Sequence, residues 1–228
     1  MTETLSAPAA VARRPGLFEA IAFDLDGTLV NTLPAIHAAF NGILSPIIGR
    51  SIPVEEVVSR LGPRAVDIMR IYDPQNADTL IDTYLDYYLS IHLDYTELYP
   101  GVVELVQDLA MRGCKLGIVT SKRRRTAIPT LEHFGLLKHF AAVVTEDDVS
   151  RLKPDPEPIR MTAKAMGVDC DKLLVVGDNP TDIEAARAAG AFGAAAVWGF
   201  YGPKAAADAD FAFNQPSDLL KIVAGRAG

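Results

Sequence analysis

Apolar residues fall along this chain in two rhythms. Phe18-Glu19-Ala20-Ile21-Ala22-Phe23 is a short apolar run that stops at Asp24-Leu25-Asp26-Gly27-Thr28, the pattern of a buried strand ending in a turn. From about Leu33 to Tyr95 the spacing becomes helical. Ala35, Ala38, Ala39 and Ile43 are expected on one helix face, and Leu80, Tyr84, Tyr87, Tyr88 and Ile91 on another. Pro53, Pro63 and Pro74 fit first-turn or breaker positions in this stretch. The tyrosines read as core or interface packing.

Beyond Pro100 strands and helices alternate. The pattern predicts a helix over Val102–Arg112 and a strand over Lys115–Thr120. A helix over Thr126–Phe134 and a strand over Ala141–Thr145 follow. The series continues with a helix over Glu157–Met166, a strand over Leu173–Gly177, a helix over Thr181–Ala189 and a strand over Ala194–Trp198. Gly113, Gly135, Gly167 and Gly190 close the four helices. This alternation implies an α/β fold, a Rossmann-like parallel sheet core with helices on both faces. The helical stretch after the first strand is too long for a simple crossover and reads as an inserted all-α cap domain. The expected organisation is a disordered tail over 1–17, a core over 18–32 and 99–228, and a cap over 33–98.

Composition narrows the class of protein. With 228 residues, 49% hydrophobic and 22% charged, the chain suits a soluble fold with one sizeable core and a small second domain. A net charge of −7 disfavours a nucleic-acid partner, and any anionic ligand would need a local cation or a metal. No stretch approaches the roughly 20 apolar residues of a membrane span, and the first residues lack a signal core. A cytoplasmic monomer or homodimer is expected. Cys114 and Cys170 have no metal-ligand spacing, and His37, His92, His133 and His139 form no cluster.

Ligands of open parallel sheets sit outside the carboxyl ends of the strands. Asp24 and Asp26 end the first strand, Thr120 and Ser121 the second, and Asp178 the fourth, with Lys153 in a loop at the same edge. Carboxylates brought so close repel one another unless a cation joins them, which points to a hard divalent metal, with Mg²⁺ fitting oxygen ligands and phosphate. Lys153 and the Thr120 hydroxyl would hold phosphate oxygens. The run Lys122-Arg123-Arg124-Arg125 opposes a helix dipole, so it is expected to steer anions, meet the cap or form a solvated face.

Asp24-Leu25-Asp26-Gly27-Thr28, Val119-Thr120, Lys153-Pro154 and Gly177-Asp178-Asn179-Pro180-Thr181-Asp182 resemble, in order, the four motifs of the haloacid dehalogenase superfamily. The likeness covers nearly all of the chain after the tail. It implies Asp24 as nucleophile, Asp26 as the acid/base and Thr120, Ser121 and Lys153 on the phosphoryl group. Asp24, the Asp26 carbonyl and Asp178 would bind Mg²⁺, with Asp182 in or near the outer shell. An acid/base aspartate at position 26 favours phosphate hydrolysis over dehalogenase or phosphonate chemistry. The mutase branch carries a cap histidine where this chain has Ile36, with His37 one place away. Val143 to Val149, Lys153 to Pro158 and Leu61-Gly62-Pro63 resemble the branch of phosphoglycolate phosphatases and a bacterial pyrophosphatase. The implied activity is hydrolysis of a small phosphorylated substrate, pyrophosphate or a monoester such as 2-phosphoglycolate. A sugar-phosphate mutase and a phosphoaspartate-regulated binding module are the rivals. Arg64, after Gly62-Pro63, is the cap residue expected to touch substrate.

Overall fold

The computed structural model describes residues 18–223; the expected tail over 1–17 lies outside the described residues. β1 (Ala20–Phe23) lies at the middle of a parallel sheet, and all four of its residues are buried. On one side stand β4 (Lys115–Val119) and then β5 (Ala142–Val144). On the other stand β6 (Leu173–Gly177), β7 (Phe192–Ala196) and β8 (Phe211–Phe213), giving the order β5-β4-β1-β6-β7-β8. Every pairing in this sheet is parallel.

The period of two along each strand divides its side chains between two layers. Ile21, Phe23, Leu116, Ile118, Leu174 and Val176 face α5 (Val102–Met111) and α6 (Arg124–His133). Ala20, Ala22, Val119, Leu173 and Val175 face α7 (Glu157–Met166) and α8 (Pro180–Ala189). Small residues on this second face admit close helix approach. At Gly117 a β-carbon would lie 2.8 Å from Met166 Sδ, inside normal contact distance.

Between β1 and β4 the chain forms α1 (Leu33–Ile48), α2 (Val54–Val58), α3 (Ala65–Tyr72) and α4 (Ala77–Ile91). These helices gather an apolar cluster of their own around Ala39, Phe40, Leu44, Met69, Tyr84 and Leu85. The two strands of chain that join them to the sheet, β2 (Val30–Asn31) and β3 (Glu97–Leu98), pair antiparallel. The buried stripe of α1 is rotated from the expected one, with Ile36, Phe40 and Leu44 inward and Ala38 and Ile43 only half-buried. Tyr87 of α4 is exposed, while Tyr84 and Tyr88 are buried. Both cysteines are thiols. Among the described residues no helix is long and apolar enough to cross a membrane.

Candidate active site

The chain leaves β1 toward β4 on one side, and leaves β6 toward β7 on the other, so the loops after β1 and β6 part and open a crevice. Asp24 extends β1 by one ladder bond, its amide donating to the Val176 carbonyl at 2.8 Å. The chain then turns tightly: the Leu25 carbonyl accepts from the Leu29 and Val30 amides, each at 3.0 Å. Gly27 makes the turn at φ +86°, and a β-carbon there would run into the Asp178 carboxylate. Glycine is therefore required twice over, by conformation and by space.

Thr120 follows β4, its amide bonded to Val144 O at 2.9 Å. Its hydroxyl oxygen accepts the Lys122 amide at 3.2 Å, which leaves the hydroxyl hydrogen to donate elsewhere. Lys153, in the loop between β5 and α7, is buried, and its ammonium donates to Asp24 Oδ1 (2.9 Å), Val119 O (3.1 Å) and Asp182 Oδ1. Asp178 follows β6 and accepts the Thr28 hydroxyl (3.1 Å) and the Phe200 amide (2.8 Å).

Asn179 caps α8 through the Thr181 amide (3.0 Å), and Asp182 Oδ2 returns to the Asn179 amide (3.0 Å), a reciprocal capping box. Both oxygens of Asp182 thus have partners, one on the cap and one on Lys153. Its role is to hold the lysine in place.

Oxygens of Asp24, Asp178 and Asp182 lie within 4.8 Å of one another, all three residues buried. Burial pushes the Asp24 carboxyl up to about 7 although Lys153 pulls the other way, with Asp182 and Asp26 adding repulsion. Burial, and then Asp24 and Asp182, also hold the Asp178 carboxyl well above the usual carboxylate range. For Lys153 burial would favour the neutral amine, but Asp182 and Asp24 outweigh it and keep the ammonium charged. One buried cation against three carboxylates leaves the cluster two positive charges short, a donor set of hard oxygens that fits a divalent ion.

A cavity of about 160 Å³ opens over this cluster. Asp24, Asp26, Thr120, Ser121, Lys153 and Asp178 form its polar side; Ile36, Phe40, Ile81, Tyr84 and Leu85 of α1 and α4 form its apolar side. Arg64 is not brought to the cavity wall. Its guanidinium lies 3.5 Å from Glu146 and 3.4 Å from the Ser150 carbonyl, spanning from the helical segment to the loop after β5. His37 turns its Nε2 to the Ile52 carbonyl at 2.9 Å, whereas Ile36 faces the cavity.

Three participants escaped sequence reasoning. Thr28 and the Phe200 amide fix Asp178, and Gly199 lies so close to Asp178 and the Gly27 carbonyl that no side chain fits. Lys122 was legible only as part of a basic run, yet its ammonium contacts both oxygens of Asp26, at 2.9 and 3.1 Å. Position alone, two residues past Thr120, was the one available signal.

Residues 21–196 match the family model described as haloacid dehalogenase-like hydrolase. Pyrophosphatase PpaX of Bacillus pumilus is 37% identical over 89% of this chain and 95% of its own length. Pyrophosphatase PpaX of Listeria monocytogenes is 36% identical over 91% of this chain and 97% of its own. Among solved structures, one described as a predicted phosphoglycolate phosphatase from Haemophilus somnus is 28% identical. It superposes with a TM-score of 0.81, covering 90% of this chain and 97% of that one. The parallel sheet, the aspartates at the ends of β1 and β6 and these likenesses along almost the whole described chain agree: the chain belongs to the haloacid dehalogenase-like hydrolases.

Proposed function

We propose that this protein is a Mg²⁺-dependent phosphatase of small phosphorylated compounds that works through an aspartyl-phosphate on Asp24. The observation that carries the reading is Asp24 itself. It is a buried carboxylate at the head of the central strand, held through Oδ1 by Lys153, with Oδ2 left to act as nucleophile at the cavity floor. The relatives named as pyrophosphatases and a phosphoglycolate phosphatase support phosphate transfer as the chemistry.

In this reading Asp24 Oδ2 attacks phosphorus as the bond to the leaving oxygen breaks, and Asp26 gives that oxygen a proton. Asp26 then takes a proton from water, whose oxygen attacks the phosphorus of the acyl phosphate and frees Asp24 and inorganic phosphate. The Thr120 hydroxyl, the Ser121 amide and Lys153 donate to the phosphoryl oxygens. Asp24, the Asp26 carbonyl and Asp178 would hold Mg²⁺, which when bound offsets the negative charge shared by phosphoryl and carboxylates. Helices α1–α4 act as a cap that shields the cavity, with the β2–β3 pair as its neck and the flanking segments, 31–34 and 98–101, as hinges. An isoleucine at the cavity wall, and a His37 already bonded elsewhere, support hydrolysis over mutase chemistry.

The substrate preference proposed is pyrophosphate or a small monoester such as 2-phosphoglycolate. Phosphate release with Mg²⁺ would be measured across pyrophosphate, 2-phosphoglycolate, sugar phosphates and nucleotides, with Asp24→Asn and EDTA as controls. One favoured small phosphate, silent in both controls, is the expected result. Release that persists in Asp24→Asn would overturn the mechanism.

A further inference from the structure

Lys122 joins three parts of the molecule at a single buried atom. Its side chain is 7% exposed, and its ammonium donates to Asp26 Oδ1 (2.9 Å), Asp26 Oδ2 (3.1 Å) and the Tyr88 hydroxyl (2.7 Å). These contacts direct the ammonium's hydrogens to one carboxylate and one hydroxyl. The nitrogen also lies 4.8 Å from the centre of the Tyr88 ring. The Lys122 main chain is fixed from both sides, its amide on Thr120 Oγ1 (3.2 Å) and its carbonyl accepting the Glu146 amide (3.1 Å). Only the side chain is free to choose a direction, and the groups that choose it are Asp26 and Tyr88.

Tyr88 belongs to α4, in the helical segment, and not to the sheet that carries Asp26 and Lys122. It is itself held firmly: 3% exposed, stacked on His92 with ring centres 5.1 Å apart, and packed in the cluster of α1–α4. Asp26 is the looser partner, with a side chain 22% exposed and facing the cavity. The rigid end of the chain of contacts is therefore the tyrosine, and the carboxylate is the end that is positioned.

We propose that Tyr88 and Lys122 are positioning residues for Asp26. The Tyr88 hydroxyl sets the Lys122 ammonium, which sets the Asp26 carboxylate against the leaving oxygen. This rests on the reading of Asp26 as the acid/base. It makes the orientation of the proton donor depend on where α4 stands, so that the acid is aligned only while the helical segment covers the cavity. Neither residue needs to touch substrate for this.

Tyr88→Phe removes one oxygen and keeps the ring, its stacking and its face toward the ammonium, so the fold is expected to survive. kcat/KM would be measured on the full chain for a series of monoesters running from p-nitrophenyl phosphate, whose leaving group needs little protonation, to simple alkyl phosphates, which need it fully. Wild type should vary little along the series. Tyr88→Phe should lose about tenfold on the alkyl esters, the scale of one hydrogen bond to a charged group, and little on the aryl ester. In an Asp26→Asn background the same substitution should add nothing further, because the group it positions is gone. A uniform loss along the series, or no loss, in Tyr88→Phe while Asp26→Asn is steep would overturn the positioning role and leave the acid/base reading standing. A flat series in Asp26→Asn would overturn the acid/base reading itself.

Discussion

Replacing Asp24 by asparagine should make the metal-free protein more stable, by an amount that depends on pH. Asp24 is buried, and its carboxyl is raised from 3.8 to about 7, chiefly by that burial. A carboxyl with its folded-state pKa raised favours folding while it is protonated, and that contribution disappears as pH rises from the unfolded value through the folded one. The window is therefore about pH 4 to 7, and above it the ionised carboxylate opposes folding in full. At 1.36 kcal/mol per pKa step, the gap corresponds to about 4 kcal/mol above pH 7 and to under about 2 kcal/mol at pH 5. Asparagine is nearly isosteric and carries no charge to bury. Its carbonyl can still accept from Lys153, which keeps Asp182 as its counter-ion. Urea unfolding in EDTA at pH 5 and pH 8 would read the difference. Asp24→Asn should move the midpoint up by on the order of 1–2 M at pH 8 and by less than half as much at pH 5. An asparagine variant no more stable than wild type at pH 8, or a gain equal at both pH values, would refute the charge-burial argument.

Two other substitutions probe the same cluster from opposite sides. Lys153→Met strips the one cation from three buried carboxylates and should destabilise the metal-free protein at neutral pH by about 3–5 kcal/mol, with turnover lowered at least about 100-fold; urea unfolding and phosphate release check both parts. Gly27→Ala forces a side chain into the Asp178 carboxylate at a positive φ, at a cost of at least about 1 kcal/mol. Mg²⁺ is expected to raise the Tm of wild type and to leave that of Gly27→Ala unchanged, which thermal melts with and without Mg²⁺ would show.

The elements read from sequence were those whose apolar runs are strong enough to speak alone. β4 and β6 end within a residue of expectation because Ile118-Val119 in the one and Leu173 to Val176 in the other are aliphatic stretches that give way to polar residues. β7 was placed two residues late. Its sequence, Phe-Gly-Ala-Ala-Ala, has little strand preference, and the following Val197 and Trp198 drew the reading forward into what is a turn. β8, three residues long, and the two-residue β2 and β3 exist only through their partners, and no window of sequence contains both members of a pair. The site was legible wherever a residue sits at a strand end or in the loop that follows one, since topology carries Asp24, Thr120, Lys153 and Asp178 to one edge. Contacts between the helical segment and the sheet were not. Tyr88 and Lys122 are 34 positions apart on elements whose relative placement no local pattern encodes. Arg64 was expected at the substrate because of its neighbours in sequence, but its side chain has a carboxylate closer at hand in Glu146.

The basic run after β4 shows how such contacts decide between readings that a local argument leaves open. Four cations at a helix start oppose the macrodipole, which left three readings: steering of anions, contact with the helical segment, or a solvated face. In the structure α6 begins at Arg124, whose amide donates to Asp147 Oδ2 at 2.8 Å, so an acid from the loop after β5 supplies the charge that the helix start requires. Each cation then has its own partner: Lys122 on Asp26 and Tyr88, Arg123 near Glu146, Arg124 on Asp148, Arg125 on Asp86 of α4. These contacts differ in weight. Arg125 and Asp86 are 40% and 76% exposed, and an ion pair so open to water adds at most about 1 kcal/mol and is screened by salt. The Lys122 contact is buried, and so is much of the bond from the Tyr201 hydroxyl to the Leu61 carbonyl at 2.9 Å on the far side of the cavity. The seam between helices and sheet is thus pinned by two sheltered tyrosine hydroxyls, one on each side of the crevice. Salt should loosen its rim and leave those pins in place, which is the condition under which a contact made through α4 can report its position to Asp26.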